Sequence, residues 1–258
     1  MPEVALQRGK LWIAEHRDSL SHYPPLLLIH GAGGSHLDWP AELRRLPGIT
    51  VLVPDLPGHG RSPGPGRQTV SAYAADMVAL LDALHIRRAI VGGHSMGGAI
   101  AQVMALNYPE RVAGLILIGT GAKLRVHPDI LARVRNEPDA IYELLTTWMW
   151  AEDVPEQVRR LGRRRIAAND PQVVYGDYLA CNTFDVMTQI QRIAAPTLVI
   201  GGTADRMTPH KFSAYLAEHI PRAELVTIEG GGHMMALEQP QAVAQAVAAW
   251  LERTTFEK

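Results

Sequence analysis

The chain has 258 residues, 47 % hydrophobic and 20 % charged, enough apolar material for one large core. A formal net charge of −1 leaves no basic excess to neutralise phosphates, which argues against a nucleic-acid partner. Apolar runs such as Leu26 to Ile29 and Leu115 to Ile118 fall far short of the ~20 residues of a membrane helix. Met1-Pro2-Glu3-Val4-Ala5 also lacks the basic and then apolar pattern of a secretory signal, so a soluble, cytoplasmic protein is expected, with no membrane partner. The single cysteine, Cys181, excludes an internal disulfide and is expected to be a small buried hydrophobe.

In chain order, Leu11 to Ala14 reads as an antiparallel leader strand. Pro25 to Ile29, Ile49 to Val53, Ala89 to Val91, Gly114 to Ile118 and Thr197 to Ile200 follow as continuous runs rich in Val, Ile and Leu. Strands buried on both faces have this composition, which points to a mostly parallel sheet. Ala223 to Ile228 reads as the final strand. Between the strands, Ser71 to Leu84, Gly98 to Leu106 and Gln241 to Leu251 carry apolar residues at helical spacing, the last with Pro240 near its first turn. This alternation implies a doubly wound α/β sheet with right-handed crossovers.

One stretch breaks the alternation. From 122 to 193 no buried strand is evident; Ile130 to Val134, Ile141 to Trp150, Gln157 to Ile166, Gln172 to Leu179 and Asp185 to Ile190 look helical instead. The expected organisation is a core of residues 1–121 and 194–258 with a helical cap, 122–193, inserted between two core strands. Connections of this length usually serve a function such as covering a site.

The strongest chemical signal lies where Ala89-Ile90-Val91 runs into Gly92-Gly93-His94-Ser95-Met96-Gly97-Gly98. Gly-x-Ser-x-Gly between a strand and a helix makes a turn so sharp that the residues two before and two after the serine must be small. It sets Ser95 at a helix N-terminus, where unpaired N–H groups favour a developing negative charge. A serine hydroxyl needs a base, and His233, behind Gly230-Gly231-Gly232, is the best-placed histidine. The acid that orients it is expected at Asp205, just beyond the strand ending at Ile200; Glu229 is the next candidate. A cap for the following helix is the plainer reading of Asp205.

An oxyanion needs N–H donors, and His30-Gly31-Ala32-Gly33-Gly34 offers small residues after a strand. The backbone N–H groups of Ala32 and Met96 are the expected pair. Gly31-x-Gly33 with Asp55 faintly echoes a dinucleotide-binding fingerprint, but position 36 is His36 where the third glycine belongs.

His30 to Gly33, Asp55-Leu56-Pro57-Gly58-His59-Gly60-Arg61-Ser62, Gly93 to Gly98, Gly202 to Asp205 and Gly232-His233 together resemble the α/β-hydrolase superfamily, from about Leu11 to Leu251. The resemblance implies the α/β-hydrolase fold, an eight-stranded sheet flanked by helices, and a structural role for the Asp55 to Ser62 loop. Serine at position 95 argues against the dehalogenase and epoxide-hydrolase relatives, which carry aspartate there. Acyl transfer on a carboxylic ester or lactone is the expected reaction. Carbon–carbon bond hydrolases are the nearest alternative, although many have asparagine where this chain has His94; perhydrolase activity and a slow-turnover ligand receptor are further readings.

Among the cap aromatics and methionines, and Trp39, Met207 and Met234 outside it, Trp39 and Trp148 are the expected substrate-pocket residues. The arginines between Arg159 and Arg165 read as a solvated helix face. His30, His59, His94 and His233 are scattered rather than at ligand spacing, so no metal and no cofactor are expected. The oligomeric state is left open.

Overall fold

The computed structural model describes residues 3–256. Its strands are β1 (Glu3–Leu6), β2 (Gly9–His16), β3 (Leu26–Ile29), β4 (Val51–Pro54), β5 (Ala89–His94), β6 (Val112–Ile118), β7 (Thr197–Gly202) and β8 (Ala223–Ile228). They form one sheet in the order β1-β2-β4-β3-β5-β6-β7-β8. From β4 to β8 every pairing is parallel, while β1 and β2 pair antiparallel at one edge. The strand β1 escapes a hydrophobicity reading because its four residues alternate between exposed and half-buried.

The helices are α1 (Ala41–Arg44), α2 (Val70–Ala83), α3 (Met96–Asn107), α4 (Pro128–Arg133), α5 (Pro138–Met149), α6 (Glu156–Ala167), α7 (Pro171–Thr183), α8 (His210–His219), α9 (Met235–Glu238) and α10 (Pro240–Arg253). Successive strand residues point to opposite faces, and this divides the core. Leu27, Ile29, Val91, Leu115 and Val199 pack toward α2, α3 and α8. Leu26, Leu28, Ile90, Ile116 and Ile200 pack toward α1 and α10.

Helices α4 to α7 all lie between β6 and β7. They share a smaller apolar cluster that includes Ile130, Ile141, Leu145, Ile166, Val174 and Tyr178. At the base of this insertion the chain is pinned: Val186 N–H donates to the Ala122 carbonyl at 2.8 Å, and Asp185 bridges to Lys123. Asp185 to Ile190, expected to be helical, is therefore a bridge and turn running into a short 3₁₀ segment, Ile190–Arg192. Of its apolar residues, Val186 and Ile190 pack into the main core while Met187 is exposed, so no helical stripe forms. Among the described residues, no helix is long and apolar enough to cross a membrane.

Candidate active site

Ser95 stands at the turn between β5 and α3 with φ 54 and ψ −117, one of two non-glycine residues with positive φ among those described. The strain is held by its surroundings. Ser95 N–H donates to the Ile118 carbonyl at 3.0 Å, and the Thr120 hydroxyl donates to the Ser95 carbonyl at 2.8 Å. Close approach explains the flanking glycines. A Cβ on Gly93 would lie 2.1 Å from the Gly97 oxygen, and one on Gly97 would lie 2.0 Å from the Ile29 oxygen. Ser95 occupies the N-cap position of α3, yet its hydroxyl caps no N–H and stays available for chemistry.

Asp205 and His233 come together from the loops after β7 and β8. His233 Nδ1 lies 2.9 Å from Asp205 Oδ2. The carboxylate also accepts the N–H groups of Met207 and Thr208, at 2.9 and 2.8 Å, and the Thr208 hydroxyl at 2.7 Å. Burial alone would raise the Asp205 pKa, but His233 and these donors hold it below the usual carboxylate value. An acid kept ionised this way fixes the imidazole with its proton on Nδ1, leaving Nε2 as the basic nitrogen. Glu229 is exposed and instead accepts a hydrogen bond from Thr203.

Ser95 and His233 line one cavity of about 80 Å³ together with Gly31, Ala32, Met149, Trp150 and Tyr178. Among the described residues no hydrogen bond joins the two side chains; such bonds often tighten only with substrate in place. Of the expected oxyanion donors, Ala32 lines the cavity, while Met96 buries its side chain in the core and contributes the first N–H of α3. The Gly31 carbonyl accepts from Gly34 N–H at 3.1 Å and from His30 Nδ1 at 2.8 Å. In a trans peptide this turns the Ala32 N–H, on the opposite side of the same unit, away from the loop interior.

The expected pocket residues are displaced. Trp39 is 1 % exposed and belongs to the α1/α10 side of the core, so it does not line the cavity. Trp148 packs against the insertion's own cluster, its ring 6.2 Å from that of His127; its neighbours Met149 and Trp150 face the cavity instead. Apolar spacing identifies a helix with a buried side but does not say which buried surface is hollow. Met207, Met234 and Cys181 also line the cavity. Burial raises the Cys181 pKa and keeps its thiol neutral, as suits a small hydrophobe. The arginine helix is only partly a solvated face: Arg163 pairs with Glu143, but Arg165 lies against Asp38 at 3.7 Å and lines the cavity.

Three polar groups near the site have roles that the sequence did not assign. His94, buried and held neutral with its pKa down to about 3 by burial and by His233, donates from Nε2 to the His233 carbonyl at 2.8 Å. Thr208 braces Asp205, as above. Asp177, on α7, is fully buried and accepts the Gly33 N–H at 2.8 Å. An acid inside the apolar run Val173 to Ala180 was the available signal, because a buried carboxylate needs partners. Asp55 accepts the N–H groups of His36 and Arg61, which makes the Asp55 to Ser62 loop a self-bonded support. Among the described residues no cluster of His, Cys, Asp or Glu is arranged to hold a metal ion.

Residues 26–246 match the model of the alpha/beta hydrolase family. A protein of Pseudomonas syringae pv. syringae (strain B728a), named provisionally as a carbamate hydrolase, is 30% identical over 92% of this chain and 95% of its own length. The 3-oxoadipate enol-lactonase 2 of Acinetobacter baylyi is 34% identical over 79% of each chain. A thermophilic esterase from Thermogutta terrifontis superposes with a TM-score of 0.85 at 30% identity, covering 97% of both chains. The sheet order, the helical insertion and this match across most of the chain agree: the protein belongs to the alpha/beta hydrolase family and is a hydrolase related to esterases and lactonases.

Proposed function

We propose that the protein is a serine hydrolase that cleaves a carboxylic ester or lactone through an acyl-enzyme on Ser95. The observation that carries this reading is the Ser95 hydroxyl, without a hydrogen bond among the described residues and held on a strained turn in the same cavity as a His233 whose other nitrogen is bound to Asp205. His233 Nε2 takes the hydroxyl proton as Ser95 Oγ attacks the carbonyl carbon. The resulting oxyanion accepts hydrogen bonds from the N–H groups of Ala32 and Met96. His233 then protonates the leaving alkoxide, and the alcohol departs. Water, deprotonated by His233, attacks the acyl-enzyme, and collapse returns the proton to Ser95 as the acid leaves. Asp205 stays ionised throughout and stabilises the imidazolium.

The names of the relatives support an acyl substrate, with lactone and carbamate as variants of the same attack. The cavity of about 80 Å³, walled by Trp150, Met149 and Tyr178, favours short acyl groups. Hydrolysis of p-nitrophenyl acetate, butyrate and octanoate by the wild type and by Ser95→Ala tests the reading. Serine-dependent release, fastest with the shorter esters, is expected. Equal release by Ser95→Ala would remove Ser95 as nucleophile. No release from any ester would turn the search to carbon–carbon bond cleavage of diketones or to ligand binding.

A further inference from the structure

The loop that carries Ala32 is gripped by the helical insertion next to that residue, at Gly33, besides the contacts of Arg165 with Leu37 and Asp38 farther along. Its N–H donates to Asp177 Oδ2 at 2.8 Å, and its carbonyl accepts from Asn169 Nδ2 at 2.7 Å. Asp177 belongs to α7, and Asn169 lies between α6 and α7. Gly33 has φ +63, and a Cβ there would meet Ile166 at 3.3 Å and Val174 at 3.7 Å, both from the insertion. The two peptide units that begin and end at Gly33 are thus fixed from outside the loop. The unit before them, which holds the Ala32 N–H, is fixed by the Gly31 carbonyl turned toward Gly34 and His30. Three consecutive peptide units around that N–H are thus held by hydrogen bonds.

Asp177 is itself fixed. Its Oδ1 accepts the Tyr73 hydroxyl at 2.6 Å, and its Oδ2 also faces His59 Nε2 at 2.7 Å. His59 Nδ1 faces the Pro57 carbonyl at 3.1 Å, so both ring nitrogens point at acceptors and the ring is satisfied only as the imidazolium. Asp177, His59 and Tyr73 are all fully buried, and a buried charge pair with its remaining positions bonded is geometrically stiff. Such an arrangement costs desolvation, and a plain structural brace between α7 and the core would not need to end on a loop N–H.

Resting on the serine-hydrolase reading above, we propose that Asp177 and Asn169 are positioning residues for the oxyanion loop, so that the docked insertion completes the site that stabilises the tetrahedral intermediate. Neither side chain touches the reacting atoms; each acts through the Gly33 peptide.

The test compares wild type, Asn169→Ala, Asp177→Ala and Asp177→Asn in p-nitrophenyl butyrate hydrolysis, in inhibition by phenylboronic acid, and in thermal melting. Phenylboronic acid adds to a serine hydroxyl as a tetrahedral anion and so reports the oxyanion site without turnover. Asp177→Ala is expected to lower kcat about 10²-fold, the scale of losing one oxyanion donor, with KM within about twofold. Boronate affinity should fall in parallel. Asp177→Asn should restore most of both, because an amide oxygen still accepts the Gly33 N–H. Asn169→Ala should lose about tenfold in kcat, and it leaves the buried charges untouched, so it decides the matter if Asp177→Ala does not fold. Lower melting temperatures with unchanged kcat and boronate affinity would overturn the inference and reduce the clamp to a structural brace. A wild type that neither hydrolyses the ester nor binds the boronate would instead sink the serine-hydrolase reading, and this inference with it.

Discussion

The turn at Ser95 and the insertion of α4 to α7 meet at one cavity but are built on different principles. At the turn, backbone packs on backbone: glycines at 93 and 97 leave no room for a methyl group, and the strained serine is held by Ile118 and Thr120. In the insertion, side chain packs on side chain, in a small apolar cluster, with short helices that begin at prolines in α4, α5 and α7. The first design leaves almost no room for added atoms and holds the Ser95 backbone from several sides. The second can be re-dimensioned residue by residue, which suits the wall that selects the substrate. The polar bonds of Asp177 and Asn169 are where the adaptable region is tied to the rigid one.

The contrast is broken most severely within the rigid half. Asp205→Asn should lower kcat by about 10³- to 10⁴-fold through the wrong imidazole tautomer, while the melting temperature moves little. Steady-state kinetics check this, and a near-wild-type rate would remove Asp205 from the proposed triad. Gly97→Ala should lower the melting temperature by at least about 10 °C or prevent folding, since nothing flexible can yield to the new methyl group. Thermal denaturation followed by circular dichroism measures that.

The same glycine-to-alanine change in the insertion sharpens the contrast. A Cβ on Gly162 would meet the edge of the Trp150 ring at 2.6 Å, and because that ring borders the cavity it has a direction in which to yield. Helix α6 gains about 1 kcal/mol of propensity, so Gly162→Ala should melt within a few degrees of wild type. Its ester chain-length preference should nevertheless shift by about tenfold in kcat/KM, because Trp150 walls the cavity. A large loss of stability with unchanged preference would contradict the division of roles.

Protonation acts on stability through groups buried near both regions. His30 and His94 are buried neutral, with pKa values lowered by burial to about 4 and about 3 from 6.5. Between pH 6.5 and about 4 the unfolded chain holds protons there that the folded chain does not, so stability falls as pH falls, by up to about 1.4 kcal/mol per unit for each histidine. Asp38, raised by burial to about 6 from 3.8, acts oppositely below pH 6, because the folded chain keeps a proton the unfolded chain releases. Urea midpoints should therefore decline from pH 6.5 to 4.5, and Asp38→Asn should make the decline steeper; an unchanged slope would remove Asp38 from this balance.

Much of the rigid half was legible in the sequence because its rules are local. Continuous apolar runs marked β3 to β7, and glycine spacing marked the turn at Ser95, since backbone crowding writes itself into residue identity. The insertion's four helices were legible from apolar spacing, but their orientation was not. Trp39 and Trp148 were expected at the pocket, whereas the sheet's far side holds the first and the insertion's interior the second. Asp177 finds its partners through contacts with residues 144 and 118 positions away, Gly33 and His59, a pairing no local pattern encodes. The short edge strand β1 was hidden for a related reason, having little to bury.

The most direct test of the central claim is covalent trapping. Diethyl p-nitrophenyl phosphate, followed by peptide mass spectrometry, should place one diethylphosphoryl group on Ser95, slowed by phenylboronic acid and absent from Ser95→Ala, with ester hydrolysis lost in step with labelling. Labelling elsewhere, or hydrolysis that survives full modification of Ser95, would contradict the account.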